Sequence, residues 1–102
     1  MDKFQMCPRF EAAFGLLGKK WTGLIIRSLL DGEKRFCDMQ TIIPALSARM
    51  LTERFKELEE KGILNRKVFP EMPVRIEYSL TEKGKALEKA MDEIQKWAEE
   101  WN

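Results

Sequence analysis

Residues 42–64, IIPALSARMLTERFKELEEKGIL, carry a helix with both of its ends marked. Pro44 lacks a backbone N–H and forbids continuation of any helix reaching it from the amino-terminal side. Three residues later Ser47 offers a side-chain oxygen to the free N–H groups of a new first turn, and Leu46 and Leu51 are spaced as a hydrophobic staple around it. Leu51, Phe55 and Leu58 form an apolar stripe, and Gly62 suits the left-handed residue that follows a helix end. The spacing predicts a helix at about Ser47–Lys61. Its opposite face carries Arg49, Thr52, Glu53 and Lys56 at i, i+3, i+4 and i+7.

On the amino-terminal side, CDMQTII (37–43) is long enough for about two helical turns before Pro44, and EKRF (33–36) for a strand stub. Trp21, Leu24, Ile25, Ser28 and Leu29 keep helical spacing up to the glycine of Asp31-Gly32. Before them Phe10, Ala13, Phe14 and Leu17 mark a short helix with Pro8 at its first position, ending near Gly18. On the carboxyl-terminal side the period changes to two. Val74, Ile76, Tyr78 and Leu80 alternate with Arg75, Glu77 and Ser79, as in a half-buried strand, with ILNRKVF (63–69) as its partner through PEMP (70–73). Thr81 is placed to cap a last helix running to residue 101. Leu87, Ala90, Ile94, Trp97 and Trp101, widened by Met91 and Ala98, form a stripe longer than a small domain needs for its own core. A partner is expected on that stripe; the alternative is that Trp97 and Trp101 close the chain's own core.

Composition narrows the function classes. The 102 residues suit one domain, and 44% hydrophobic with 34% charged residues suit a globular, helix-rich chain. The amino terminus lacks the order of a signal peptide and no apolar run approaches about 20 residues, so a cytoplasmic protein without membrane contact is expected. With two cysteines and no histidine, the usual four-ligand zinc site and the commonest general base are both missing. No phosphate loop, nucleophile constellation or set-apart carboxylate pair is present. Neither an enzyme nor a cofactor is expected.

The net charge of +1 looks unsuited to binding nucleic acid, but the charge is sorted along the chain. Residues 1–36 carry seven Lys/Arg against four Asp/Glu, residues 66–75 three against one, and residues 81–102 four against six.

The order helix, helix, stub, short helix, capped helix, hairpin, long helix is that of a winged helix-turn-helix, an α+β fold that is mostly α. In this architecture the capped helix enters the DNA major groove and the hairpin reaches the flanking backbone. Arg49 suits guanine or phosphate, Thr52 a base edge or phosphate, Glu53 cytosine, and Lys56 phosphate. Ser47 caps and can also reach a phosphate. Lys67 and Arg75, with Arg66 adjacent, supply long basic side chains on the two arms, whereas Glu71 at the tip repels phosphate. The competing reading is a solvated helix face and a hairpin whose charges keep its edges soluble.

GKKWTGLIIRSLLDGEKRF (18–36), the opening stretch, and VFPEMPVRIEYSLTEKGKAL (68–87) resemble the HxlR family of bacterial winged-helix transcription regulators, relatives of the MarR group. The resemblance runs from Cys7 to about Leu87. The chain departs from the family at Ala45, where glycine is frequent, and at Cys37-Asp38-Met39. The resemblance implies a homodimer with helices at about 8–17 and 81–101 as its dimerisation elements, through Phe10, Phe14, Leu87, Met91, Ile94, Trp97 and Trp101. Two recognition helices would then meet a near-palindromic double-stranded operator with half-sites about 34 Å apart.

The family responds to electrophiles, oxidants or aldehydes, in several members through an amino-terminal Cys-Pro cysteine that Cys7 matches. Cys7 also stands at a helix N-cap, where free N–H groups, the helix dipole, Arg9 and Lys3 favour a thiolate, the form that meets quinones and hypochlorite. The alternative makes Cys7 a small hydrophobe at the dimer seam; Cys37 is expected to be buried. The resulting expectation is a repressor released by redox or electrophile modification of Cys7. Two other readings are the same fold gated by a small aromatic ligand among Phe14, Trp21 and Met91, and a winged-helix module used for protein contacts.

Overall fold

The structure, a computed structural model, describes residues 3–102. The elements are α1 (Pro8–Leu17), α2 (Thr22–Leu29), α3 (Phe36–Ile42), α4 (Ala48–Glu60), β1 (Leu64–Phe69), β2 (Arg75–Leu80), α5 (Glu82–Lys85) and α6 (Glu88–Trp101). This is the winged helix-turn-helix expected from the element order.

Leu51, Phe55 and Leu58 of α4 pack with Ile25, Ile26 and Leu29 of α2, Met39 of α3, and Ile63, Leu64 and Leu80 at the hairpin base. Each such side chain contributes roughly 1.5–3 kcal/mol by leaving water. The core therefore sits behind α4 and leaves the helix's other face outward. Leu46 is buried with Leu51, so both partners of the staple are inside. Asp38 gives the departure at 37–39 a local explanation: its carboxylate accepts the Arg35 N–H at 2.8 Å, closing the first turn of α3 while Met39 fills the core.

The hairpin is antiparallel, with Leu64 opposite Leu80 and Phe69 opposite Arg75. The expected stub is a single bridge, in which Lys34 N–H donates to the Tyr78 carbonyl at 2.9 Å and Tyr78 N–H to the Lys34 carbonyl at 2.8 Å. Burial along β2 is graded rather than alternating. Only Leu80 is fully covered, Tyr78 and Ile76 are half-buried, and Val74 lies before the strand and is exposed. A two-stranded ribbon projecting from the body has only its base against other elements; there Tyr78 lies on Phe55, ring centroids 4.0 Å apart.

The last segment differs from a single helix at 81–101. Thr81 accepts the Gly84 N–H as expected, but the helix breaks at Ala86 and Leu87 and resumes at Glu88. A β-carbon on Gly84 would stand 2.5 Å from the Ile63 carbonyl oxygen and 3.0 Å from Leu80, so α5 is pressed onto the hairpin base, while Ala86 and Leu87 keep right-handed helical backbone angles between α5 and α6. The radius of gyration is 15.6 Å, against about 13 Å for a compact chain of this length, and the long dimension is 65 Å. Trp97 and Trp101 are 59% and 68% exposed, which overturns the alternative that they close the chain's own core. Between α1 and α2, Trp21 holds a left-handed backbone with φ 80°, a conformation costly for a residue with a side chain, and its ring lies 4.9 Å from the Lys20 ammonium.

Candidate nucleic-acid interface

On α4 the Ser47 hydroxyl accepts the Met50 N–H at 3.1 Å, confirming the cap. Arg49 is open, its side chain 91% exposed and 3.9 Å from the Glu53 carboxylate. Such an exposed i, i+4 pair is worth little and is readily exchanged for a phosphate or base. Glu53, Thr52 and Lys56 are also exposed. The Thr52 hydroxyl donates to the Ala48 carbonyl at 2.8 Å, which leaves its oxygen free to accept. The structure thus brings Arg49, Thr52, Glu53 and Lys56 to one free face.

A clamp behind this face was not evident from the sequence. Arg54 donates through Nε to the Lys20 carbonyl at 2.9 Å and through Nη1 to Glu57 at 3.1 Å, while Lys19 pairs with the same Glu57 carboxylate. The α1–α2 turn is thereby tied to the flank of α4. Only the i, i+3 spacing of Arg54 and Glu57 was a visible signal; their partners lie 34 and 38 positions away. The hydrogen bond from Lys19, assisted by the charge of Arg54, holds the Glu57 carboxyl below its ordinary value of 4.5 against the opposing effect of burial. A carboxyl lowered in the folded state stabilises the fold above that ordinary value and loses this contribution as pH falls through the folded one. Glu57→Gln is accordingly expected to remove part of the acid sensitivity of the denaturation midpoint below pH 4.5, while costing about 1 kcal/mol or less near neutrality. Parallel midpoint-against-pH curves for the two proteins would reject this role.

In the wing, Lys67 is exposed, with its ammonium 5.0 Å from the Phe69 ring. Arg75, expected to reach phosphate from its arm of the hairpin, is held within the hairpin. Its guanidinium lies 3.8 Å from the Phe69 ring centroid and bonds Glu71 at 3.0 Å and also Glu77. These hydrogen bonds, that to Glu71 foremost, raise the guanidinium above its ordinary value, and Arg75 in turn lowers the Glu71 carboxyl. Arg75 is already neutralised by two carboxylates of its own hairpin. Arg66 is exposed on the neighbouring position of β1.

Cys7 is the N-cap of α1, exposed, with no capping bond from its side chain. Cys37 is exposed as well, contrary to the burial expected of it, because the inward position of α3 belongs to Met39. Phe10 and Phe14 lie together on α1, ring centroids 4.9 Å apart, and with Ile94, Trp97 and Trp101 of α6 they are exposed. Leu87 and Met91 instead pack partly against the chain's own core. Phe14, Trp21 and Met91 line a groove of about 430 Å³ between α1, α2 and α6. Among the described residues no helix is long and apolar enough to cross a membrane, and no group of three His, Cys, Asp or Glu is placed to hold a metal ion.

Residues 16–102 match the model of the HxlR-like helix-turn-helix family. The chain is 54% identical over 101 residues to the HTH-type transcriptional regulator YvaP of Bacillus subtilis, spanning 99% of this chain and 94% of that one. The reduced form of the transcriptional regulator YodB from B. subtilis superposes with a TM-score of 0.84 at 52% identity, over 95% of each chain; YodB has also been solved diamide-treated and quinone-bound. The redox regulator HypR in its oxidized form superposes with a TM-score of 0.88 at 38% identity, over 94% of this chain and 98% of that one. A capped helix with one face in the core and one face free, a hairpin with exposed Arg66 and Lys67 beside it, and relatives of this kind over nearly the whole length lead to one conclusion: the chain belongs to the HxlR-like helix-turn-helix family and is a transcriptional regulator of the helix-turn-helix type.

Proposed function

We propose that the protein is a homodimeric, sequence-specific DNA-binding repressor, acting in the cytoplasm and released from its operator when an oxidant or electrophile modifies Cys7. The observation that carries the reading is the exposed Arg49, Thr52, Glu53 and Lys56 face of α4, standing on a core-buried stripe behind a formed Ser47 cap. In the proposed complex Arg49 and Glu53 read bases, Thr52 and Lys56 contact base edge or phosphate, and Lys67 with Arg66 grips the flanking backbone. Arg75 serves instead to order the wing tip through Glu71 and Glu77.

Pairing of two copies is supported by the aromatic row on α1 and α6, an exposed apolar surface of the kind that marks interfaces. Cys7 opens α1, so an adduct there would act where the two copies meet. A thiolate that adds to a quinone ring forms a carbon–sulfur bond and leaves the ring as a hydroquinone after uptake of a proton. Support for this chemistry comes from YodB, solved quinone-bound and diamide-treated, and from HypR, solved in oxidized form.

Selection of bound sequences from a random duplex pool, with and without diamide or a quinone, tests reading and switching together. A near-palindrome should be enriched by the reduced protein and lost on treatment. Cys7→Ser should bind the same palindrome and ignore both reagents. An unchanged response in that variant removes the thiol mechanism, and failure to enrich any palindrome removes the dimeric DNA reader. A second reading is favoured by the groove that Phe14, Trp21 and Met91 line: the same fold gated by a small aromatic ligand held there without covalent chemistry. It predicts operator release by a non-electrophilic aromatic compound in protein with both cysteines replaced by serine.

A further inference from the structure

On the other side of α1 from the aromatic groove, a second groove of about 310 Å³ lies between α1, the end of α4 and the joint of α5 with α6. Its floor is apolar, from Leu16, Ile63 and Leu87, of which Ile63 is buried. The exposed residues Arg9, Lys61 and Lys83 line it as well. Among the described residues no carboxylate lines it, in a chain with 17 acidic residues to set against 18 basic ones. Glu82 and Glu88 face a different cleft, beside Leu29 and Asn65. Among the described residues none of the three cations forms an ion pair. Lys83 spends one donor on the Lys61 carbonyl at 2.8 Å, which fixes its ammonium close to Lys61 and leaves its other donors free.

Three cations around an apolar floor repel one another until an anion joins them. We propose that this groove binds a small organic anion without covalent chemistry, a carboxylate on an aromatic or alicyclic body, with the body on Leu16, Ile63 and Leu87 and the carboxylate among Arg9, Lys61 and Lys83. The volume stands at the lower end of the range for small-molecule sites, about 300–1,000 Å³, and so suits a body of one or two rings. A guanidinium matches a carboxylate with two parallel hydrogen bonds, and an ammonium adds a point charge. Inorganic phosphate has the charge but nothing to lay on the floor. The bound anion would join α1, through Arg9, to the residue that ends α4, Lys61, and so fix the position of the helix that Cys7 opens relative to the helix that reads DNA.

The test is calorimetric titration of the reduced, full-length protein, without DNA, with 2-naphthoate, its neutral isostere 2-naphthamide and inorganic phosphate. Naphthoate should bind, naphthamide at least about tenfold more weakly, and phosphate without measurable heat, since charge-assisted hydrogen bonds separate the first two by that order. Naphthoate affinity should fall with added salt. Arg9→Gln and Lys83→Gln should each weaken it by about tenfold with circular dichroism and melting temperature unchanged. Equal affinity for acid and amide, indifference to both substitutions, or no binding of naphthoate because a second copy fills the groove would each overturn the proposal. Because the titration contains no DNA, its failure leaves the DNA-reading proposal standing, and failure to enrich an operator leaves this site standing.

Discussion

Arg49→Ala is expected to weaken operator binding by about 2–6 kcal/mol per dimer, roughly 30-fold to more than ten-thousandfold in affinity. The size follows from symmetry. One bidentate arginine contact to a base discriminates by about 1–3 kcal/mol, and a two-fold dimer places the same side chain in both half-sites. The fold should not suffer, because the side chain is 91% exposed and its ion pair with Glu53 is long. Arg49→Lys separates the two possible targets. A lysine keeps a phosphate contact but lacks the fork that reads guanine, so a guanine reader loses affinity in both variants and a phosphate contact mainly in the alanine one. Fluorescence anisotropy on the selected operator at several salt concentrations makes the measurement, and a reduced salt slope identifies a phosphate contact. Affinity unchanged in Arg49→Ala would remove α4's first turn from the reading surface.

Leu51→Ala is expected to cost about 2–5 kcal/mol of folding stability. Leu51 has no exposed surface, lies in the first turns of α4, and is half of the staple with Leu46, so its truncation leaves a cavity beneath α4. For a domain of this size, with about 5–15 kcal/mol in total, the loss is a large fraction. Urea denaturation at fixed protein concentration should show the midpoint shifted with little change in slope, and Leu51→Met, which keeps the volume, should cost less than about 1.5 kcal/mol. A loss below about 1 kcal/mol in Leu51→Ala would mean that α4 is held chiefly by its cap and clamp rather than by its stripe.

What could be read from the sequence was what is local. Ser47, Leu46, Leu51 and Gly62 act within one turn of each other, so the ends of α4 were legible, and Pro8 and Thr81 likewise start α1 and α5. The break between α5 and α6 was not, because the apolar spacing runs through it, and neither was the approach of Gly84 to Ile63, a contact set by the fold. Arg75 read as a phosphate contact because only the hairpin's register and turn bring it against Phe69, Glu71 and Glu77 at once. The clamp of Arg54 and Glu57 on Lys19 and Lys20 joins segments more than thirty positions apart. The exposure of Cys37 depends on which of two neighbouring residues α3 turns inward, a choice that Met39 wins.

The two-residue joint at Ala86 and Leu87 has an evolutionary consequence. It links a segment pinned to the wing with a helix that leaves the body, and no core side chain except the partly covered Leu87 lies within it. Inserting or deleting a single residue there would leave every helix intact while turning the apolar row of α6 by about 100° about its axis. In the proposed dimer such an indel rotates one copy against the other, so relatives that read differently spaced half-sites need differ in nothing more than the length of this joint.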